Sequence, residues 1–564
     1  MIDKRINILR NKFDEYGIDG YVVPKNDEFF SEYSQKNRLK IISNFSGSAG
    51  YAIILKKKNY LFVDGRYTLQ AELESGKKFK VVDLQKIINC KIINNLTLGI
   101  DPRIFTSTQI KKFFTKHNKI KKINTNLIDL IFKKYSSISK PFFSLDKKIV
   151  GRSHIIKLKK IRIFLKKHKL NYLFVSAPEN VAWLLNIRGF DNPNSPIPNC
   201  RVLISNKNFF LISSPKKIKK LISDKKIKKK QIIEPIKFEK IITKFKKGKI
   251  LVDNKSCSLF YESLFKGNLE IIKKEDPIYF YKSIKTREEI SHMIDAHIKD
   301  GVALTKFLYW IKNKNKKTIT EIDAQNKLEF FRKKNPSYLF PSFNTIAGAG
   351  KNGAIIHYKT TKRTNKKITK KDIFLCDSGG QYKYGTTDVT RTICFSKPTH
   401  KIKNIFTKVL KGHIAVATAN LKKFTNGSQI DVLARKSLKK SGLDYSHGTG
   451  HGVGFFSNVH EGPQAISKFN KIKICEGMVI SNEPGFYKKG KFGIRLENLV
   501  FVKKNKNKLF FENLTLAPIE KDLINFKILN KKEKEYLFKY HLMVFSKLYK
   551  YLNFDEKKWL ANLI

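Results

Sequence analysis

The sequence predicts a mixed α/β (α+β) chain. Two tandem, related α/β domains come first, then a larger domain of short strands and glycine-rich turns, then a short C-terminal extension. Three observations carry this. Strand–turn–strand patterns of equal length recur at 51–63 (YAIILKKKNYLFV) and 201–213 (RVLISNKNFFLIS). Between 340 and 500, His, Asp and Glu gather among glycines. At roughly 150 residues per domain, 564 residues leave room for three to four domains.

The elements follow in order. In residues 1–148, Tyr21-Val22-Val23 is an apolar run closed by Pro24. Residues 51–63 read as two strands joined by a Lys/Asn turn, and 64–75 as a helix. In 149–280 the plan returns. NYLFV (171–175) answers Tyr21–Val23, and Leu185–Gly189 stands where Ile42–Gly47 stood. A duplicated α/β domain with a join near 145–152 accounts for this. In 281–504, Thr286 and Glu289 form a capping box. Ile290, Met293, Ile294 and His297 then keep helical spacing, and the helix runs to about Ile311. Thr318 and Glu321 read as a second box, opening a helix to about Lys334. Residues 505–564 add a strand-like piece and an amphipathic helix near 531–551. They carry no evident chemistry and are expected to pack on the preceding domain or at a dimer contact.

Composition narrows the function. Lys plus Arg is 114 against 47 Asp plus Glu, a net charge of +67. Only 15 of the 114 are Arg, and the lysines spread over the whole chain with abundant Ile and Asn. Arg is the residue that grips phosphate bidentately, and no stripe of Arg with interleaved aromatics occurs. The charge therefore reads as compositional drift, with no specific nucleic-acid partner. The cysteines Cys90, Cys200, Cys257, Cys376, Cys394 and Cys475 are sparse and include no C-x-x-C pair, so neither a disulfide scaffold nor a zinc ribbon is suggested. The N-terminal residues lack a signal-peptide core, and no run approaches 18 apolar residues. A cytoplasmic chain with no membrane partner is expected.

Four segments concentrate the chemistry: GAIIHY (353–358), DSGGQYKYGTTDVTRT (377–392), HGTGHGVGFFSNVHEGP (447–463), and SNEPGFY (481–487) with IRLEN (494–498). Asp377 and Asp388 flank the turn-prone centre Tyr382–Gly385. A symmetric hairpin would set them face to face, with Cβ atoms about 5 Å apart. Carboxylates that close repel unless a proton or a cation lies between them. Glu483 and Glu497 are centred on Gly490 in KKGKFG, so a second hairpin repeats the arrangement. The runs Ile373–Cys376 and Met478–Ile480 are apolar, which makes Asp377 and Glu483 ends of buried strands, where an unpartnered carboxylate is costly. His447, His451 and His460 fall within 14 residues. The glycines between His447 and His451 argue against a helix, so this is not the H-E-x-x-H zinc motif. Two Asp, two Glu and one His form an oxygen-rich set suited to two divalent cations, Mn²⁺ above all, with Co²⁺, Zn²⁺ or Fe²⁺ able to substitute. Two such ions hold a bridging hydroxide and polarise a carbonyl.

These strings resemble the pita-bread (M24) metallopeptidases, and within them the long three-domain form of the aminopeptidase P (Xaa-Pro aminopeptidase) family. The resemblance extends to FSGSAGYAIIL, LFVDGRYTLQA and PENVAWLLNIRG and covers roughly residues 1–500. It implies creatinase-like domains at 1–148 and 149–280, a pita-bread domain at 281–504 and an extension at 505–564. It implies Asp377, Asp388, His451, Glu483 and Glu497 as metal ligands, with Asp388 and Glu497 bridging and Glu483 as general base. His357 and His460 would support the scissile carbonyl, and His447 would line the proline-side pocket. Tyr487 and Arg495 would stand near that pocket and the metals. The implied substrates are peptides with proline second, and the implied assembly is a homodimer. Prolidase uses the same ligands on dipeptides, and a noncatalytic relative would have lost ligands. The tandem domains favour the longer-peptide enzyme over the first, and the intact set of five counts against the second.

Overall fold

A computed structural model of the chain describes residues 2–34, 36–89, 93–114, 117–132, 140–245, 247–313 and 319–564. Cys90 and Thr318 fall outside them. The chain forms two compact units, Met1–Tyr279 and Phe280–Ile564.

The first unit holds two six-stranded sheets of the same design. One is built from Gly20–Pro24, Tyr51–Leu55, Asn59–Val63, Lys80–Asp83, Thr97–Ile100 and Lys119–Lys122. The other uses Tyr172–Val175, Arg201–Ser205, Phe209–Ile212, Ile232–Ile233, Gly248–Asp253 and Leu269–Lys274. In both, the spatial order is fourth, third, second, first, fifth, sixth. In both, the first three strands pair antiparallel and every other pair is parallel. The strand–turn–strand patterns at 51–63 and 201–213 are the second and third strands of each sheet. The central strands are apolar because both faces are covered, whereas lysines load the edge strand Lys119–Lys122. Charged edges discourage pairing with other chains.

In the second unit the helix Arg287–Asn313 starts on the expected box: Thr286 N donates to Glu289 Oε2 (3.0 Å) and Glu289 N to Thr286 Oγ1 (3.2 Å). The next helix, Glu321–Lys333, is capped differently from the expectation. Its box is Thr320 with Asp323, which frees Glu321 for another task. The buried Glu321 carboxylate accepts from Ala349 N, Asn352 Nδ2, Tyr358 Oη and Lys366 N at 2.7–3.1 Å. It thereby pins the loop that carries His357. This helix pair and a second one, His400–Ala417 with Gly427–Lys439, pack around short sheets. The C-terminal helices Lys531–Leu548 and Phe554–Ala561 bury Leu537, Tyr540, Val544, Leu548 and Leu560 in one core with Phe406, Leu410 and Ile494. Among the described residues, no helix is long and apolar enough to cross a membrane.

Candidate metal centre

Two hairpins bring the acids together. In the first, the strands Ile373–Ser378 and Val389–Cys394 pair with Asp377 opposite Thr390. The inner turn pairs Tyr382 with Gly385 and Gln381 with Thr386, so its mirror point lies between Lys383 and Tyr384 and carries Asp377 to Thr390. The expectation that Asp377 and Asp388 stand directly opposite is therefore corrected. Asp388 lies two residues earlier, just ahead of the strand. Residues two apart share a face, so Asp377 and Asp388 stand on a diagonal, about 7–8 Å apart in backbone and somewhat closer at Cβ, rather than directly opposite.

The second hairpin has the expected register. Gly485 pairs with Arg495 and Lys488 with Phe492, and farther out Asn482 pairs with Asn498 and Val479 with Phe501. Both ladders mirror about Gly490, which turns at a φ of +73°. Glu483 and Glu497 occupy opposing places in the gap between the ladders, and Leu496 N bonds Pro484 O across it (3.3 Å). Thr390 Oγ1 donates to Glu497 Oε2 (2.8 Å) and Ser481 Oγ to Glu483 Oε1 (3.1 Å). The first of these bonds ties one hairpin to the other.

His451 sits on the short strand Gly450–Gly452, which runs beside Val479–Asn482. The close approach needs glycine: a Cβ on Gly450 would stand 1.9 Å from Ser481 O. His451 Nδ1 faces the Gly452 carbonyl (2.9 Å), which can only accept, so Nδ1 carries the proton. Nε2 is then left 3.5 Å from both Asp388 Oδ2 and Glu483 Oε1. A lone pair facing two carboxylates requires a proton or a cation between them. Ligand atoms of Asp388, His451 and Glu497 all lie within 4.8 Å of one another. The His460 ring stands edge-on to that of His451, with centroids 4.3 Å apart.

A second arm runs through Arg495. Its guanidinium donates to Asp377 Oδ2 (2.5 Å), Thr390 Oγ1 (3.2 Å), Tyr487 Oη (2.7 Å) and the carbonyl of Ile356 (3.3 Å), the neighbour of the half-buried His357. Tyr487 Oη lies 2.8 Å from His447 Nε2. His447 Nδ1 faces Gly448 O (2.8 Å), so Nε2 is the acceptor and the chain of donors runs Arg495 to Tyr487 to His447.

The electrostatics are lopsided. Four carboxylates crowd together, and among the described residues they draw one Arg and no Lys. Burial raises the Asp377 carboxyl above its usual range, with repulsion from Asp388 adding to it and Arg495 opposing. Burial likewise lifts Glu483 to about 6 and Glu497 well above the ordinary value. Burial works against a charged His451, yet the Asp388 hydrogen bond and the Glu483 charge push it up to about 9. Asp377 Oδ1 and Asp388 Oδ1 are buried with no hydrogen-bond partner. The oxygen donors, the histidine nitrogen that faces two of them and the excess of negative charge all fit a pair of divalent cations.

Sequence reasoning assigned no role to Thr390, Ser481 or Arg391, all of which bond these acids or their backbone. The VTRT string held two of them, but a Thr or Arg on an apolar strand carries no signal of what lies across the sheet.

Residues 291–504 match the metallopeptidase family M24, and 507–563 the C-terminal region of that peptidase family. Residues 5–128 and 133–289 each match a creatinase/prolidase N-terminal domain. The chain is 35% identical to a probable Xaa-Pro aminopeptidase P of Laccaria bicolor, over 99% of this chain and 92% of that one. It is 36% identical to Xaa-Pro aminopeptidase 1 of Dictyostelium discoideum, over 100% and 96%. Among solved structures it is similar to X-prolyl aminopeptidase from Caenorhabditis elegans, described as a cytosolic enzyme with a di-nuclear active site. The TM-score is 0.92 at 28% identity, covering 100% of this chain and 99% of that one.

Proposed function

Because the chain belongs to the M24 metallopeptidases, we propose that it is a metal-dependent aminopeptidase that removes the first residue from peptides whose second residue is proline. The observation that carries this beyond the family is the charge deficit of the carboxylate cluster beside a histidine-lined arm. Asp377, Asp388, His451, Glu483 and Glu497 would hold two divalent ions, with Asp388 and Glu497 shared between them. Mn²⁺ suits this oxygen-rich set. When bound, the ions polarise the scissile carbonyl and make a water nucleophilic near neutral pH.

The chain's own residues do the rest. The Glu483 carboxylate takes the proton of the attacking water. His460 and His357 donate to the carbonyl oxygen as it gains charge. The Arg495–Tyr487 pair holds the His447 ring at the wall of the proline pocket. Proline has no N–H and a fixed φ, so a pocket shaped for its ring selects it where a general aminopeptidase fails. The division into domains at 1–148, 149–280, 281–504 and 505–564, the homodimer and the cytoplasmic location belong to the same reading. The paired six-stranded sheets support the first two domains, whereas the extension shares one core with the domain before it.

The test is hydrolysis by the metal-stripped protein, with and without Mn²⁺, of Arg-Pro-Pro, Arg-Ala-Pro and Ala-Pro. Metal-dependent release of arginine from Arg-Pro-Pro alone is expected. Cleavage of Ala-Pro alone makes it a prolidase, and no cleavage with metal bound makes it a peptide-binding relative.

A further inference from the structure

One buried cation beside the centre has no acid. Arg391, on the strand that follows Asp388, is 2% exposed. Its five N–H groups meet six acceptors. Nε donates to Pro518 O (2.9 Å), and Nη1 to Thr390 O (2.8 Å) and Glu497 O (2.6 Å). Nη2 donates to Asn498 Oδ1 (2.8 Å), Ala517 O (2.8 Å) and Tyr540 Oη (2.9 Å). None of the six is a carboxylate.

The acceptors come from three stretches of chain. Thr390 belongs to the Asp388 hairpin. Glu497 and Asn498 belong to the Glu483 hairpin. Pro518, Ala517 and Tyr540 belong to the C-terminal extension. Glu497 N also bonds Thr390 O (3.2 Å), so the guanidinium closes a backbone junction between the residues that follow Asp388 and Glu497 itself. Tyr540 fastens the outer side. Lying on the helix Lys531–Leu548, its hydroxyl donates to Ala517 O (2.8 Å) while accepting from Arg391.

The two hairpins share no loop, so the distance between Asp388 and Glu497 depends on whatever clamps their backbones. A planar five-donor fork fixes such a junction, whereas a lysine supplies one point charge on a flexible stem. We propose that Arg391 is a positioning residue of the metal centre, and that the C-terminal extension acts on the centre through it by way of Tyr540. The extension is then a working part of the catalytic unit. The proposal rests on Asp388 and Glu497 being ligands.

The test is Mn²⁺ titration of the metal-stripped full-length protein, read by the spectroscopic signal of free Mn²⁺, with Tm measured in parallel. Groups that orient ligands from behind change affinity by about 10–100-fold. Tyr540→Phe is expected to weaken Mn²⁺ binding about tenfold at unchanged stoichiometry, and Arg391→Lys by more. Leu552→Ala, in the same core but away from the fork, is expected to lower Tm and leave affinity unchanged. Should Arg391→Lys fail to fold, Tyr540→Phe decides. Wild-type affinity in Tyr540→Phe overturns the proposal, as does an equal loss in Leu552→Ala. Asp388→Ala is titrated alongside. If it binds Mn²⁺ like wild type, the ligand set is wrong. If it loses Mn²⁺ while Tyr540→Phe does not, only the brace falls.

Discussion

Glu461 and the Asp377–Asp388–Glu483–Glu497 cluster are largely buried acidic sites in the same unit, and they are neutralised in opposite ways. Glu461, next to His460, is embraced by Lys285 and by Lys282 at 3.2 Å, both themselves buried. The segment that carries these lysines is held in place by a bridge between Ile284 and Met478. Among the described residues, the cluster gathers four carboxylates against one arginine, Arg495, and no lysine, with His451 Nε2 3.5 Å from two of them. In a protein of net charge +67, a lysine could have reached the cluster as easily as it reached Glu461. A buried acid that keeps its lysines is a structural joint. A group of acids kept clear of lysines has the charge excess that a cation from solution would offset.

Four experiments sharpen or break this contrast. Asp388→Ala or Glu497→Ala should abolish Mn²⁺ stoichiometry and peptide release together, and a variant that keeps two ions would remove its residue from the bridging pair. Glu461→Gln should cost about 3–5 kcal/mol in urea unfolding, because it strands two buried ammonium groups. Its metal content should stay normal, and a loss of metal at unchanged stability would erase the distinction between the two sites. His460→Ala should lower kcat about 10²-fold with Mn²⁺ retained. Metal loss there would make His460 a ligand. The smallest effect carries the opposite sign. In metal-stripped protein, Glu483→Gln should raise stability by about 1 kcal/mol, since one repulsive neighbour is gone. A destabilised variant would mean the cluster is neutralised from within.

The candidate site was legible because its residues announce themselves. Acids and histidines among glycines are conspicuous, and Gly490 at the centre of its hairpin fixed the Glu483–Glu497 register by symmetry. The other hairpin was misjudged by two residues because any of Tyr382, Lys383, Tyr384 and Gly385 could serve the turn. Tyr384 takes a positive φ (73°) there, which a non-glycine residue does not advertise. The cap of the helix Glu321–Lys333 was misplaced for a similar reason, since Thr318 and Thr320 are both eligible and only packing of the 349–366 loop requires Glu321 elsewhere.

What the sequence determined on its own was local or periodic: the repeated strand pairs, the capped helix after Thr286, the identity of the acids and histidines, and the family. These follow from alternation, capping and turn chemistry, which act over a few residues. What only the tertiary structure decided was partnership across the chain. It decided that Arg391 joins Glu497 to Tyr540, that Arg495 reaches Asp377 while Lys282 and Lys285 reach Glu461, and that Glu321 is spent on a loop. Such pairings lie tens to hundreds of residues apart, and an Arg or a Lys looks the same in sequence whichever buried acceptor it finds.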